Sequence, residues 1–129
     1  MSLSVSGLSI GYRTRRGLTT VVDSVDLAIP AGRTLGIVGE SGSGKTTLVR
    51  ALGRHLAENG SVLGGRILVD DVDVLGLSPS ELRAWRRRDL AFVHQEAGAA
   101  LDPTMRIGAQ LLYGADRQPR RINAAAARR

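Results

Sequence analysis

From Leu3 to Ile10 the chain alternates apolar and polar residues (Leu3-Ser-Val-Ser-Gly-Leu-Ser-Ile10), with one break at Gly7. A period of two sends successive side chains to opposite faces, so this stretch predicts a strand. Alternation returns at Val25-Asp-Leu-Ala-Ile29, the end of a second strand, and the polar run Tyr12 to Thr19 reads as the connection between the two. Pro30-Ala-Gly32 predicts a turn, and Arg33 to Val38 is a short apolar run suited to a buried parallel strand. The period then changes. Leu48, Leu52 and Leu56 recur every four residues, with Val49 and Ala51 between them, which is one face of a helix ending near Asn59-Gly60. Gly64 to Val69 and Leu90 to His94 are further strand candidates. Ser78 as N-cap, Pro79 at the first helical position and Glu81 two residues later open a helix to about Arg88. Pro103 interrupts regular structure, Ile107 to Tyr113 reads as a short helix, and from Gly114 onward only the Ala124–Ala127 run suggests any helical tendency. No internal repeat is present.

The loop between the third strand and the first helix carries the chemistry. Residues 39 to 46 read Gly-Glu-Ser-Gly-Ser-Gly-Lys-Thr, a full match to the phosphate-binding pattern G-x-x-x-x-G-K-[ST]. Gly39, Gly42 and Gly44 lack a Cβ, so the backbone can turn its N–H groups toward an anion, with Glu40, Ser41 and Ser43 filling the variable positions. Lys45 supplies a point charge for the β- and γ-phosphates, and the Thr46 hydroxyl suits Mg²⁺, with Thr47 next in line. Strand, glycine loop and helix in that order also bring a helix N-terminus to the anion. Lys45 is the chain's one lysine among 18 basic residues. Positive charge is otherwise carried by arginine, so lysine is retained where the motif needs it. These features predict an α/β P-loop fold that binds ATP with Mg²⁺.

Composition narrows the setting. With 129 residues, 43% hydrophobic and 23% charged, the chain suits one domain with a core of its own. It has no cysteine, which excludes disulfides and thiolate metal sites and fits a reducing cytoplasm. No apolar run reaches the 18 residues of a membrane span, and the N-terminus lacks the features of a secretory signal. The net charge of +6 is concentrated from Asp116 onward, where five arginines face one aspartate. Arg86-Arg87-Arg88 is the other basic run, and neither is interleaved with aromatics. We therefore expect solvated surface rather than a specific nucleic-acid interface.

A second constellation lies about fifty residues after the phosphate loop: Phe92-Val-His-Gln95, Leu101-Asp-Pro103, then Met105-Arg-Ile107-Gly108-Ala-Gln110. With the loop, it resembles the ATP-binding subunits of ABC transporters, in particular the branch importing dipeptides, oligopeptides and nickel. The likeness covers residues 1 to about 113 and implies an ABC-type nucleotide-binding domain there, with 114–129 a separate arginine- and alanine-rich tail. By resemblance, Tyr12 stacks on adenine, while Gln95 contacts Mg²⁺ or the attacking water and reports nucleotide state. Leu101 and Met105 would then face a transmembrane permease subunit. A second nucleotide-binding subunit would complete an ATP sandwich, in the cytoplasm at the inner face of the cell membrane. Ala97 replaces a usual proline and His94 a usual phenylalanine.

The family pattern continues with a signature Leu-Ser-Gly-Gly-Gln, a Walker B strand ending in Asp-Glu, and a switch histidine, none of which is in these 129 residues. The resemblance thus implies the N-terminal part of such a domain, truncated before the signature, with negligible turnover in isolation. Three alternatives stand beside it. A different P-loop enzyme, such as a small kinase, would use Asp70 as its metal carboxylate, although Asp70, Asp71 and Asp73 read more simply as solvated loop residues. The chain would otherwise be a non-catalytic nucleotide-binding remnant, or an interaction module whose tail binds anionic lipid or nucleic acid. His55 and His94 lack partners at ligand spacing and read as structural.

Overall fold

The computed structural model describes residues 1–93, 95 and 101–110. It comprises two compact units, Met1–Ser78 and Pro79–Arg129, taken separately below.

The first unit is an antiparallel sheet backed by one helix. Strand β1 (Leu3–Thr14) pairs with β2 (Gly17–Ile29) on one side and with β3 (Gly60–Val69) on the other. A two-residue strand, β4 (Val72–Asp73), completes the order β2-β1-β3-β4. The first two predicted strands are longer than their alternation indicates. Tyr12 to Thr19 is therefore no open connection: β1 runs to Thr14 and β2 starts at Gly17, leaving Arg15-Arg16 as the tip of a hairpin. The Thr14 hydroxyl closes that tip, donating to the Gly17 carbonyl at 2.9 Å and accepting from the Arg16 N–H at 3.2 Å. Ladder pairing carried this polar segment into the sheet despite its composition.

The break at Gly7 is a bulge. The register of β1 slips between Val5 and Leu8 against β2, and between Ser6 and Ser9 against β3. Gly7 is left-handed there (φ 57°) and donates its N–H to the Asp26 carboxylate at 2.7 Å. Opposite it, Gly65 (φ 96°) comes so close that a Cβ would lie 2.6 Å from the Gly7 backbone and Leu8 Cα. The bulge turns Leu8 and Ile10 fully inward, where they join Val5, Val22, Ile67 and Val69 in the core.

Helix α1 (Lys45–Leu52) covers this face with Leu48 and Ala51. It is shorter than the leucine spacing predicts. After Gly53 the chain turns left-handed at Arg54 (φ 54°), where the Arg54 N–H reaches the Ala51 carbonyl and the His55 N–H reaches Arg50. These two bonds make a Schellman end, which satisfies the last carbonyls and leaves Leu56 beyond the helix. Arg54 Nη1 then donates to the carbonyls of Val74 and Leu77, at 3.3 and 2.8 Å, tying the helix end to the segment after β4. That segment opens with a single 3-10 turn, Val74–Gly76, in which the Leu75 N–H donates to the Asp73 carboxylate.

Pro30 to Gly32 turns as predicted, with Gly32 left-handed (φ 74°) and the Arg33 N–H bonded to the Pro30 carbonyl. The next expectation fails. Arg33 to Val38 has no regular structure and is exposed throughout, with Val38 at 92%. A parallel strand is held by ladder neighbours and buried by layers on both faces. Among the described residues no strand pairs with this one, so its apolar side chains have nothing to bury against.

In the second unit, helix α2 (Pro79–Asp89) starts at the predicted proline and buries Leu82 and Trp85. Leu90 to Val93 is not a strand, for the same want of a ladder partner among the described residues, and Val93 is 92% exposed. His94 and the tail from 111 lie outside the described residues; of the predicted helix over 107–113, residues 107–110 are described and helical.

The Gly7–Gly65 contact yields a stability prediction. Gly65→Ala adds both a backbone clash and a left-handed strain, and should lower unfolding free energy by roughly 3 kcal/mol or more. Gly64→Ala, with open space at its Cβ and no left-handed φ, is the control and should shift the urea midpoint little.

Candidate functional site

The glycine loop is a ring closed by its own lysine. Lys45 Nζ donates to the Gly39 carbonyl at 2.8 Å, to the Glu40 carbonyl, and to the Ser43 hydroxyl at 3.2 Å. All three ammonium protons are thus directed into the loop. The two carbonyls brace the lysine across the mouth, and the Ser43 hydroxyl occupies a position that an anionic oxygen could take in exchange. Gly42 (φ 81°) and Gly44 (φ 91°) are left-handed, as the motif requires.

Gly44 also seats the loop on the sheet. A Cβ there would lie 3.0 Å from the Val21 carbonyl and 3.4 Å from side-chain atoms of Val21 and Val22. The helix begins at the next residue with no side-chain cap, and the Leu48 N–H donates to the Gly44 carbonyl at 2.8 Å. The first-turn N–H groups before Leu48 are therefore not consumed by a capping side chain. α1 has no acidic residue in its first turn to compete with an incoming anion. Thr46 is exposed, and a concavity of about 260 Å³ lies beside the loop, lined by Ser43, Gly44 and Lys45 and by apolar residues including Val22, Ile37 and Leu48.

Tyr12 is brought to the same helix. Its hydroxyl lies 3.5 Å from Thr47 Oγ1, a contact rather than a strong hydrogen bond, and its ring is half-buried beside Gly60. The end of β1 and the first turn of α1 thus meet, 35 residues apart in sequence. Tyr12, Thr47 and the loop from Gly39 to Thr46 all belong to the first unit. Gln95 is exposed in a bend of the second.

Asp70 is engaged at the other end of the sheet. Its carboxylate accepts from the Ser2 N–H at 2.6 Å and the Ser2 hydroxyl at 3.1 Å, with the terminal ammonium 3.8 Å away. The Ser2 N–H first, then its hydroxyl and the amino terminus, hold this carboxyl below its ordinary range. Asp70 and Asp71 (φ 43° and 67°) form the two-residue link from β3 to β4, where left-handed residues match the strand twist. Asp73 pairs with Arg66. None of these three carboxylates has a described bond to Thr46, and no cluster of three metal-ligating side chains occurs among the described residues.

The segment 101–110 contains a clamp that nothing in the sequence pattern announces. The Asp102 carboxylate accepts from the Thr104 hydroxyl at 2.6 Å and the Thr104 N–H at 2.8 Å. Gln110 accepts from the Asp102 N–H and donates to the carbonyls of Asp102 and Met105, each near 3 Å. The loop is bound shut by its own polar groups, while Leu101, Met105 and Ile107 stay on the outside, at 50%, 41% and 65% exposure.

Comparison with known proteins decides the family. The sequence profile described as ABC transporter matches residues 22–128. The chain belongs to the ABC transporter family. A Brucella ovis protein named for peptide import and ATP binding is 41% identical over 112 residues, 87% of this chain and 34% of that protein. The peptide transport system ATP-binding protein SapD of Salmonella typhimurium is 36% identical, over 85% of this chain and 33% of its own length. The chain thus spans about a third of the curated relatives it matches. Among solved structures, the ABC cassette MJ0796, a dimer bound to ADP and Pi, aligns with a TM-score of 0.74 and 22% identity. That alignment covers 98% of this chain and 52% of the cassette, and establishes the ABC ATPase fold.

The Asp102 clamp carries a pH prediction. Thr104, through its hydroxyl first and its N–H second, lowers the Asp102 pKa. A carboxyl lowered in the folded state stabilises above its unfolded pKa, and that contribution is lost as pH falls through the folded value. Thr104→Ala should therefore raise the Asp102 pKa toward its ordinary value, read by carboxyl ¹³C chemical shift in an acid titration.

Proposed function

We propose that this chain forms the phosphate- and base-binding part of an ABC importer's ATP-binding subunit. In that subunit, MgATP binding and hydrolysis are coupled to uptake of peptides or related solutes at the inner face of the membrane. The observation that carries the reading is the glycine loop braced by Lys45 and seated on β2 at Gly44. The names of the relatives support peptides as the cargo class.

The residues divide the work by chemistry. Backbone N–H groups of the loop and the Lys45 ammonium take the β- and γ-phosphate oxygens, and Tyr12 stacks on adenine. The Thr46 hydroxyl, with the Gln95 amide in the assembled subunit, suits Mg²⁺, an oxygen-seeking cation; Mg²⁺ when bound neutralises charge between phosphate oxygens. Charge-assisted hydrogen bonds are worth roughly 1.5–3 kcal/mol each and a stacked ring about 1–3, so phosphate contacts dominate affinity. Discrimination between bases should accordingly be modest.

The outward apolar residues Leu101 and Met105, held by the Asp102–Gln110 clamp, suit a permease subunit's docking helix. A second nucleotide-binding subunit would supply the other wall of the site. Residues 1–113 form the nucleotide-binding part in this reading and 114–129 a tail. No helix among the described residues is long and apolar enough to cross a membrane.

Calorimetry with MgATP on the full chain tests the proposal. We expect measurable binding that Lys45→Ala weakens about 10- to 100-fold, the equivalent of about one charge-assisted bond. Steady-state hydrolysis by the 129-residue chain alone should be negligible, since it contains no Asp-Glu strand to polarise water. No binding by demonstrably folded protein would refute the proposal.

A further inference from the structure

The aromatic platform has a back wall. Tyr12 pairs across the sheet with Gly60, the first residue of β3, and a Cβ on Gly60 would lie 2.7 Å from Tyr12 Cε1. The ring therefore occupies space that any other residue at position 60 would claim. Gly60 is not left-handed, so nothing in its own backbone demands glycine. Crowding is the remaining constraint, from the tyrosine ring and, at 3.2 Å, from the Ala57 carbonyl and Leu56 Cβ.

The neighbouring residue fixes the strand that carries the ring. The Asn59 carbonyl accepts from the Arg13 N–H at 2.8 Å, and the Asn59 side-chain amide donates to the Arg13 carbonyl at 3.1 Å. Both backbone groups of the residue after Tyr12 are thus held by one asparagine. On its far side the tyrosine hydroxyl touches Thr47, in the first turn of α1. The ring is placed from three directions: strand, wall and helix.

We propose that Gly60 is a positioning residue for base recognition, setting the Tyr12 ring where it can stack on adenine while leaving the phosphate loop untouched. This rests on the reading of Tyr12 as the stacking platform. Adding one methyl group at position 60 pushes the ring toward the helix and spoils the stack, so the loss appears only for ligands that carry a base.

The experiment compares ATP with inorganic tripolyphosphate, each with Mg²⁺, on the full chain by calorimetry. Wild type should bind ATP more tightly than tripolyphosphate. Gly60→Ala should weaken ATP about fivefold, a fraction of a full stacking interaction, and leave tripolyphosphate within twofold. In a Tyr12→Ala background the same change should have no effect on either ligand. Equal weakening of both ligands by Gly60→Ala would make the glycine merely structural and overturn the inference. So would a Tyr12→Ala variant that loses base preference beside a Gly60→Ala variant that keeps it; the platform would stand and its wall would not. If Tyr12→Ala leaves base preference unchanged, the platform reading fails and the inference with it. Should Gly60→Ala fail to fold, the double variant decides: recovery of folding supports a clash with the ring, and continued failure refutes it.

Discussion

The Lys45 ammonium folded back onto the carbonyls of Gly39 and Glu40 is the contact on which the site's geometry depends. A glycine-rich loop has many conformations to lose, and ordering each residue costs on the order of 1–2 kcal/mol. Three donors on one rigidly placed nitrogen hold both arms of the loop at once. Lys45 is itself the first residue of α1, and the helix is held on the sheet by Leu48 and Ala51. Loop shape, helix position and sheet face are therefore coupled through a single side chain. An arginine would carry the same charge but not the same compact point of contact.

Two consequences follow for the surroundings. Gly44 has to lie flat on Val21 and Val22, so β2 shapes the glycine loop as much as the loop's own residues do. The β1 bulge at Gly7, matched by Gly65 across the ladder, twists the sheet so that Leu8 and Ile10 face the core. Downstream of that bulge β1 still has to deliver Tyr12 to the first turn of α1, and Asn59 holds it in register. Backbone irregularities, rather than regular ladder, set where Tyr12 arrives.

The glycine loop, the turn at Pro30–Gly32 and the start of α2 at Pro79 were legible because local chemistry dictates each of them. Other features were not. Alternation ends at Ile10, yet pairing carries β1 to Thr14, since a ladder once begun recruits polar residues. Leucine spacing runs to Leu56, yet α1 stops at Leu52 because Gly53 and the left-handed Arg54 form a Schellman end. Arg33–Val38 and Leu90–Val93 carry strand composition, but composition supplies no partner. Gly60 is an ordinary helix-stop signal in sequence; its close approach to Tyr12 exists only across the sheet.

By itself the order of residues determined the shape of the glycine loop, because Gly39, Gly42, Gly44 and Lys45 lie in one contiguous segment whose lysine hydrogen bonds close within seven residues. It also determined the family, through a pattern extending past Gln95. Tertiary structure decided which side chains surround that loop: Tyr12 reaches Thr47 across 35 residues, Asn59 reaches Arg13 across 46, and Asp70 is taken by Ser2 across 68. Contacts of that range depend on bulges, strand register and helix ends, whose energies are set by neighbours far away in the chain.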